Sequence, residues 1–269
     1  MNLKNIWKTP KYLPYTQAML TDDVLQKAEK NFGYKLPSAY IKLLKIQNGG
    51  YINYGLPDIE HTRIYGIGES FPTILNDNWG EVKSEEIVSL ELEGLIPFDG
   101  DGYYFLCFDY RKNSIEPQIT YVDVDADTFE IIADTFDEYL DLLEIETDEN
   151  LVENSLTIQE NMIKISEILN VKFEEPDYWH SGFPIYKTNY RDNWLWVSPN
   201  ICPSGFVREG DERYDELKSQ MEHLSLRFPE ISENATFINV YDKTILQKLS
   251  EHGLRTKSLK QILIEKPNS

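Results

Sequence analysis

A chain of 269 residues that is 41% hydrophobic, with 17 Tyr, 12 Phe and 5 Trp, has core material for two ordinary domains or one large one and is not a disordered chain. A net charge of -20 opposes binding to nucleic acid or to an anionic membrane. Two cysteines, Cys107 and Cys202, are too few for a disulfide framework or a Cys-rich zinc site, and His61, His180, His223 and His252 lack HExxH or His-x-His spacing.

Near the start, Lys4, Lys8 and Lys11 are interrupted by Trp7, Pro10 and Pro14, with no apolar run of signal-peptide length behind them. With a mean hydropathy of -0.46 and no stretch near the ~20 apolar residues of a bilayer span, the sequence reads as a cytoplasmic protein. Thr21 ahead of Asp22 and Asp23 predicts the N-cap and acidic first turn of a helix that Gly33 ends. Pro37 suits the first turn of a second helix, whose Tyr40, Leu43, Leu44 and Gln47 share one face, and Asn48-Gly49-Gly50 supplies residues tolerant of positive φ for its C-cap.

Beyond Gly50 the pattern changes to short runs bounded by Gly, Pro, Asn and Asp, which predicts strands at Arg63 to Ile67, Leu95 to Phe98, Tyr103 to Tyr110, Ile119 to Val124 and Phe129 to Ala133. Asp125-Ala126-Asp127 makes the last two a hairpin. Thr135-x-x-Glu138 is a capping box for a helix holding Phe136, Tyr139, Leu140 and Leu143. Glu144 to Asn154 is polar, acidic and weakly periodic, which predicts either a linker or an extension of the preceding helix, with a domain boundary near residue 150.

A second capping box, Thr157-x-x-Glu160, opens a helical stripe of Ile158, Met162, Ile165 and Leu169. After it come an aromatic-rich stretch from Tyr178 to Val197, a helix from Asp211 to Arg227, a strand from Thr236 to Tyr241, a helix from Lys243 to His252 and a final strand from Leu259 to Ile264. The alternation favours an α/β or α+β domain and shows no repeat of the first half.

Charge divides the same way. Residues 1–149 hold 28 acids and 12 bases, and residues 150–269 hold 18 and 14. Glu81 to Glu149 alone carries 21 acids against Lys83, Arg111 and Lys112. Such a field either keeps a protein soluble or complements a basic protein partner, speeding encounter.

Asp123, Asp125, Asp127 and Asp134 fall at positions 1, 3, 5 and 12 of an EF-hand count, but Thr128 stands where the loop needs Gly and a strand pattern follows, so no metal site is expected. Asp99-Gly100-Asp101-Gly102 reads as an exposed turn rather than a catalytic carboxylate pair. No Walker, GxGxxG or nucleophile-elbow pattern is present, and no cofactor is expected. Tyr178, Trp179, Tyr186, Tyr190, Trp194 and Trp196 fit a core better than a stacking platform for a sugar or base.

The motifs Leu36-Pro37, Asn48-Gly49-Gly50, Ile96-Pro97-Phe98-Asp99-Gly100-Asp101-Gly102, the strand from Tyr103 and the helix from Thr135 to Leu143 follow one another in an order that resembles the SUKH superfamily. That group includes bacterial immunity proteins and a fungal cell-wall synthesis regulator. The resemblance implies an α+β domain over residues 15–149, with two leading helices, a mainly antiparallel sheet and a closing helix, followed by a smaller domain over residues 150–269 of no recognised family. It implies a binding module rather than an enzyme, with Leu36, Pro37, Tyr40, Asn48, Gly49, Gly50, Pro97 and Phe98 serving the fold.

The reading that follows is an immunity protein whose first half, or the cleft between its halves, occludes a cognate toxin; a toxin that acts on nucleic acid would present a basic groove. Asp99, Asp101, Asp123, Asp125 and Asp127 are the candidate contacts, with Tyr103 and Tyr104 as aromatic anchors. The alternatives are a regulatory scaffold like the fungal protein, and a carbohydrate- or nucleotide-handling enzyme whose pocket would be lined by Trp194, Trp196 and His180.

Overall fold

The computed structural model describes residues 6–59, 61–76, 79, 91–221 and 223–265. The chain divides into two compact units, Met1–Lys8 with Tyr12–Glu144 and Thr9–Lys11 with Ile145–Ser269.

In the first unit, helix α1 (Asp22–Phe32) opens where the Thr21 hydroxyl accepts the Val24 N–H at 3.3 Å, and it closes at Gly33, whose φ of 78° is left-handed. Helix α2 (Ser38–Ile46) starts directly after Pro37 and buries Ala39, Tyr40, Leu43 and Leu44. Its end corrects the expected cap: Gln47 is already extended, and Asn48-Gly49-Gly50 lies beyond the helix. The Asn48 amide donates to Ala18 O at 2.7 Å and Ile67 O at 2.9 Å and accepts the Ile67 N–H at 2.8 Å. Gly49, at φ 86°, runs so close to Gly66 that a Cβ on it would lie 2.6 Å from the Gly66 nitrogen. The motif is therefore a backbone clamp, which demands glycine for proximity as well as for φ.

Strands β1 (Gly50–Tyr51) and β2 (Arg63–Ile64) form a short antiparallel pair, so the run predicted to Ile67 enters the ladder only at its start. The main sheet is β3 (Leu95–Gly100), β4 (Tyr104–Asp109), β5 (Gln118–Asp123) and β6 (Thr128–Ala133), antiparallel in that order. Helix α3 (Phe136–Leu142) follows. Thr135 caps it by accepting the Glu138 N–H at 3.1 Å, but the Glu138 carboxylate bonds the Asp134 N–H at 3.0 Å, so the reciprocal half of the capping box is shifted one residue upstream.

The sheet is buried on two sides. Ile96, Phe98, Leu106, Phe108 and Ile119 form one core with Tyr40, Leu43, Leu44, Phe136 and Tyr139, in which Phe98 and Phe108 stack at 4.7 Å. Leu95, Phe105, Cys107, Val122 and Val124 form a second with Trp79. Cys107 is free, and burial raises its thiol pKa well above the usual range.

The second unit is built on strands β7 (Asn150–Val152), β8 (Tyr186–Tyr190), β9 (Asn193–Pro199), β10 (Ile201–Pro203), β11 (Leu224–Leu226), β12 (Thr236–Val240) and β13 (Thr256–Ser258). Five make an antiparallel sheet ordered β8-β9-β12-β7-β13, and β10 pairs with β11 separately. Helix α4 (Ile158–Leu169) has the complete Thr157/Glu160 capping box and buries Ile165 and Leu169. Arg191 and Asp192, both at positive φ, join β8 to β9 in a two-residue turn. Helices α5 (Thr244–Glu251) and α6 (Leu259–Glu265) complete it.

Three expectations fail here. Glu144 to Asn154 is not a linker, because it holds β7, an interior strand of the five, and its Glu149 pairs with Arg227 where both side chains are largely buried. The predicted helix from Asp211 to Arg227 shrinks to Tyr214–Leu217 and a 3-10 turn over Lys218–Met221, in which Leu217 alone is buried. The chain then extends, and β11 gains a ladder with β10 that a continued helix would forfeit. Leu259 to Ile264 is helical rather than a strand, since Leu259, Ile262 and Leu263 meet one core at offsets 0, 3 and 4.

Replacing Gly49 with Ala should lower the stability of the first unit by about 2–4 kcal/mol, because left-handed strain is joined by a backbone clash. Gly33→Ala, at a similar φ but with nothing within 4 Å of the new Cβ, should cost only about 1 kcal/mol. Urea denaturation of the two variants measures the difference.

Candidate protein-binding site

The sheet register places Tyr104 opposite Asp123, and the Val124 N–H bonds Tyr103 O at 2.8 Å. The segments 101–104 and 123–127 therefore lie side by side at one end of the sheet. Each is folded by its own carboxylate. Asp101 accepts the N–H groups of Tyr103 at 2.8 Å and Tyr104 at 3.1 Å around Gly102, and Asp123 accepts the Ala126 N–H at 2.9 Å in a turn that Asp127 closes at φ 50°. Asp101, Asp125 and Tyr103 are exposed, Tyr103 by 66% of its surface, while Asp123 and Asp127 are half-buried. Tyr104, also half-buried, stacks on Tyr121 at 5.8 Å. Six of the seven predicted contacts thus share one acidic, aromatic edge.

The seventh does not. Asp99 has no exposed surface, because β3 continues through Gly100 and the turn begins only at Asp101. Its Oδ2 lies 2.6 Å from His61 Nδ1, and its Oδ1 accepts from Arg63 Nε at 2.9 Å and from the Gly100 N–H at 2.8 Å. His61 Nε2 meets the Tyr139 hydroxyl, and Gly100 O accepts from Arg63 and, at 2.6 Å, from the Tyr65 hydroxyl. Burial first, and the Asp99 charge next, raise the Tyr65 and Tyr139 pKa values, so both phenols stay protonated as donors. With His61, Asp99 and Tyr139 all without solvent access, this constellation braces the fold and cannot receive a substrate.

Among the family-motif residues, Leu36, Tyr40, Asn48 and Phe98 are buried, and Pro97 stands at a break in the β3 register. The twelve-residue cation loop is replaced by the β5–β6 hairpin, with Asp134 at its far end accepting from Gln118 Nε2 at 2.5 Å. Among the described residues no group of three or more His, Cys, Asp or Glu is placed to hold a metal ion. Residues 81–90 of the acidic run lie outside the described residues. Within the remainder, Asp109 is paired with Arg111 at 2.7 Å and receives the Thr120 hydroxyl at 3.0 Å.

In the second unit Trp194 and Trp196 share the face of β9 opposite Leu195 and Val197. Trp194 is exposed, and Trp196 meets Tyr241 edge-on at 5.2 Å. Tyr178 and Trp179 are also exposed, which corrects their expected place in a core, whereas Tyr186 and Tyr190 pack against one. His180 stands in a separate exposed turn beside Asp177, at 3.2 Å.

Residues 19–142 match the model of the SMI1 / KNR4 family (SUKH-1). The match runs from just ahead of α1 through α3 and includes none of the second unit. A search of curated proteins finds no match to this chain. At the level of the family, the SUKH-1 match supports an immunity or regulatory protein-binding module, in a group that is generally non-catalytic. No helix among the described residues is long and apolar enough to cross a membrane.

Asp99→Asn should destabilise the first unit by about 3–5 kcal/mol, since it strands Arg63 and His61 beside a neutral amide, while Asp101→Asn should have a small effect; thermal melts of both compare them. Acid behaviour should follow Asp109. Burial would raise its pKa, but the bonds from Arg111 and Thr120 prevail and hold it below the ordinary value. Its contribution is therefore complete above about pH 4 and is lost as pH falls through the depressed folded value. Asp109→Asn should be less stable near neutrality and lose less on acidification, as urea midpoints across that range would record.

Proposed function

We propose that this protein is a non-catalytic immunity module that works in the cytoplasm, neutralising a cognate toxin by covering its working surface with the acidic end of the first unit's sheet. The SUKH-1 match supports a protein-binding module, immunity or regulatory, at the level of the family. The observation that carries the reading further is the convergence of Asp101, Tyr103, Tyr104, Asp123, Asp125 and Asp127 on one edge from two separate turns. Carboxylates there steer a basic partner into place, and an exposed tyrosine offers a large, stiff anchor for desolvated contact. A toxin that acts on nucleic acid carries the complementary basic groove. The match to the SUKH-1 family, the folding role of the buried Asp99–His61–Arg63 set and the surface position of the acidic edge all favour occlusion over catalysis.

The test is association kinetics with the product of an adjacent toxin gene, by stopped flow at several salt concentrations. Exposed charges act through a field screened over about 8 Å at physiological salt, so association should slow as salt rises. Replacing Asp101, Asp123, Asp125 and Asp127 together with Asn should slow it at low salt and flatten the salt dependence. Salt-insensitive association that the quadruple variant leaves unchanged would overturn the electrostatic reading.

A further inference from the structure

Strand β6 is one of the two outer strands of the four-stranded sheet among the described residues, and its first four positions, Thr128 to Ile131, are all exposed. The register shows where its hydrogen-bonding groups go. Val124 donates its N–H to Tyr103 O, so Val124 and Val122 turn their backbone groups toward β4, while Asp123 and Tyr121 turn theirs toward β6. Thr128 and Glu130, opposite Asp123 and Tyr121, face back toward β5. Phe129 and Ile131 therefore present their N–H and C=O groups outward. An irregularity at Ile119 and Thr120 ends this regular stretch.

An open edge of this kind is a template for another strand, and natural sheets guard theirs with Lys, Pro or inward-pointing charge. Thr128-Phe129-Glu130-Ile131-Ile132-Ala133 has neither Lys nor Pro and is rich in β-formers. Its Phe129 and Ile131 side chains, 48% and 40% exposed, lie on one face, and Glu130 projects from the other. Around it the sequence is wholly acidic, with seven carboxylates and no base over residues 125–141. The cation near the apolar face, Arg111, lies 5.1 Å from the Phe129 ring centre and is ion-paired with Asp109. A second copy of this chain would set the same carboxylates against their own kind.

We infer that β6 binds an extended segment of a basic protein partner by strand addition, with apolar residues of that segment over Phe129 and Ile131 and alternate Lys or Arg residues beside Glu130. This rests on the protein-binding reading above and specifies how the partner is held. Backbone bonds along the edge supply affinity, and the alternation of side chains supplies selectivity.

The probe is an end-blocked fluorescent peptide of about ten residues that alternates Lys and Val, long enough to pair with the whole edge. It is compared, on the full chain at about 0.15 M salt, with the same peptide N-methylated at every residue, which keeps the charge and removes every backbone donor. Anisotropy should show saturable binding of the first peptide, weakened about tenfold or more by N-methylation through loss of the edge bonds. Ile131→Pro, which removes an outward N–H without cutting the bonds to β5, should weaken it similarly, whereas Ile131→Val, which keeps that N–H and an apolar β-branched side chain, should weaken it far less.

Equal binding of the two peptides, or no saturable binding, overturns strand addition. So does self-association of the chain, seen by sedimentation and abolished by Ile131→Pro, because the occupant is then a second copy. Should Ile131→Pro fail to fold, the N-methylated peptide still decides. If strand addition fails while association with the toxin stays salt-sensitive, the acidic-edge reading stands without it. If toxin association proves salt-insensitive, that reading falls on its own measurement.

Discussion

Asp99 sits in a strand with no access to water, where an unpaired carboxylate would cost several kcal/mol. It is tolerable there because its oxygens meet His61, Arg63 and the Gly100 amide together, each from a fixed direction. Through those bonds one side chain ties three pieces of chain: the residues leading into and forming β2, the end of β3 and, by way of His61 and Tyr139, the closing helix α3. The exposed turn at Asp101 begins two residues later, so the acidic edge is hung on the brace. Rigid support beneath and solvated carboxylates above would suit the binding role proposed for this edge, since little conformational entropy would remain to be lost on association.

The extent to which the sequence foretold this differs by element. Helices α1 and α3 and the four-stranded sheet were legible because each carries its own local chemistry: Thr21 and Thr135 as caps, Gly33 as a stop, and apolar runs broken at turn residues. The acidic edge was partly legible, because Asp101 and Asp123 sit in recognisable turns, but their adjacency depends on a register that local pattern does not encode. Asp99 was misread for the same reason. Its Asp-Gly-Asp-Gly context looks like a turn, whereas burial is decided by His61 and Arg63, well back along the chain. A carboxylate directly following Leu95-Ile96-Pro97-Phe98 was the available clue, for a buried acid requires a basic partner somewhere.

In the second unit the errors share a cause. Asn150–Val152 is short and lies within an acidic run, so its place inside a five-stranded sheet is set entirely by β12 and β13. Leu224–Leu226 is likewise drawn into extended form by β10. Where a few residues owe their conformation to distant neighbours, local propensity is a weak guide. Leu259 to Ile264 fails differently: its apolar positions suit either period, and one core satisfied by three of them decides for the helix.

The break in register between Pro97 and Asp99 has a geometric meaning for the whole motif. Along a regular strand neighbouring side chains alternate faces, so Phe98 on the helix-facing side would send Asp99 to the other. The bulge suspends that alternation for one residue, and Phe98 and Asp99 both reach the helix side, one to fill the core and the other to meet His61. The count of residues between Ile96 and Gly100 is therefore as much a determinant as their identity. Losing one residue there would remove the bulge and restore strict alternation, so that Phe98 and Asp99 could no longer both face the helices.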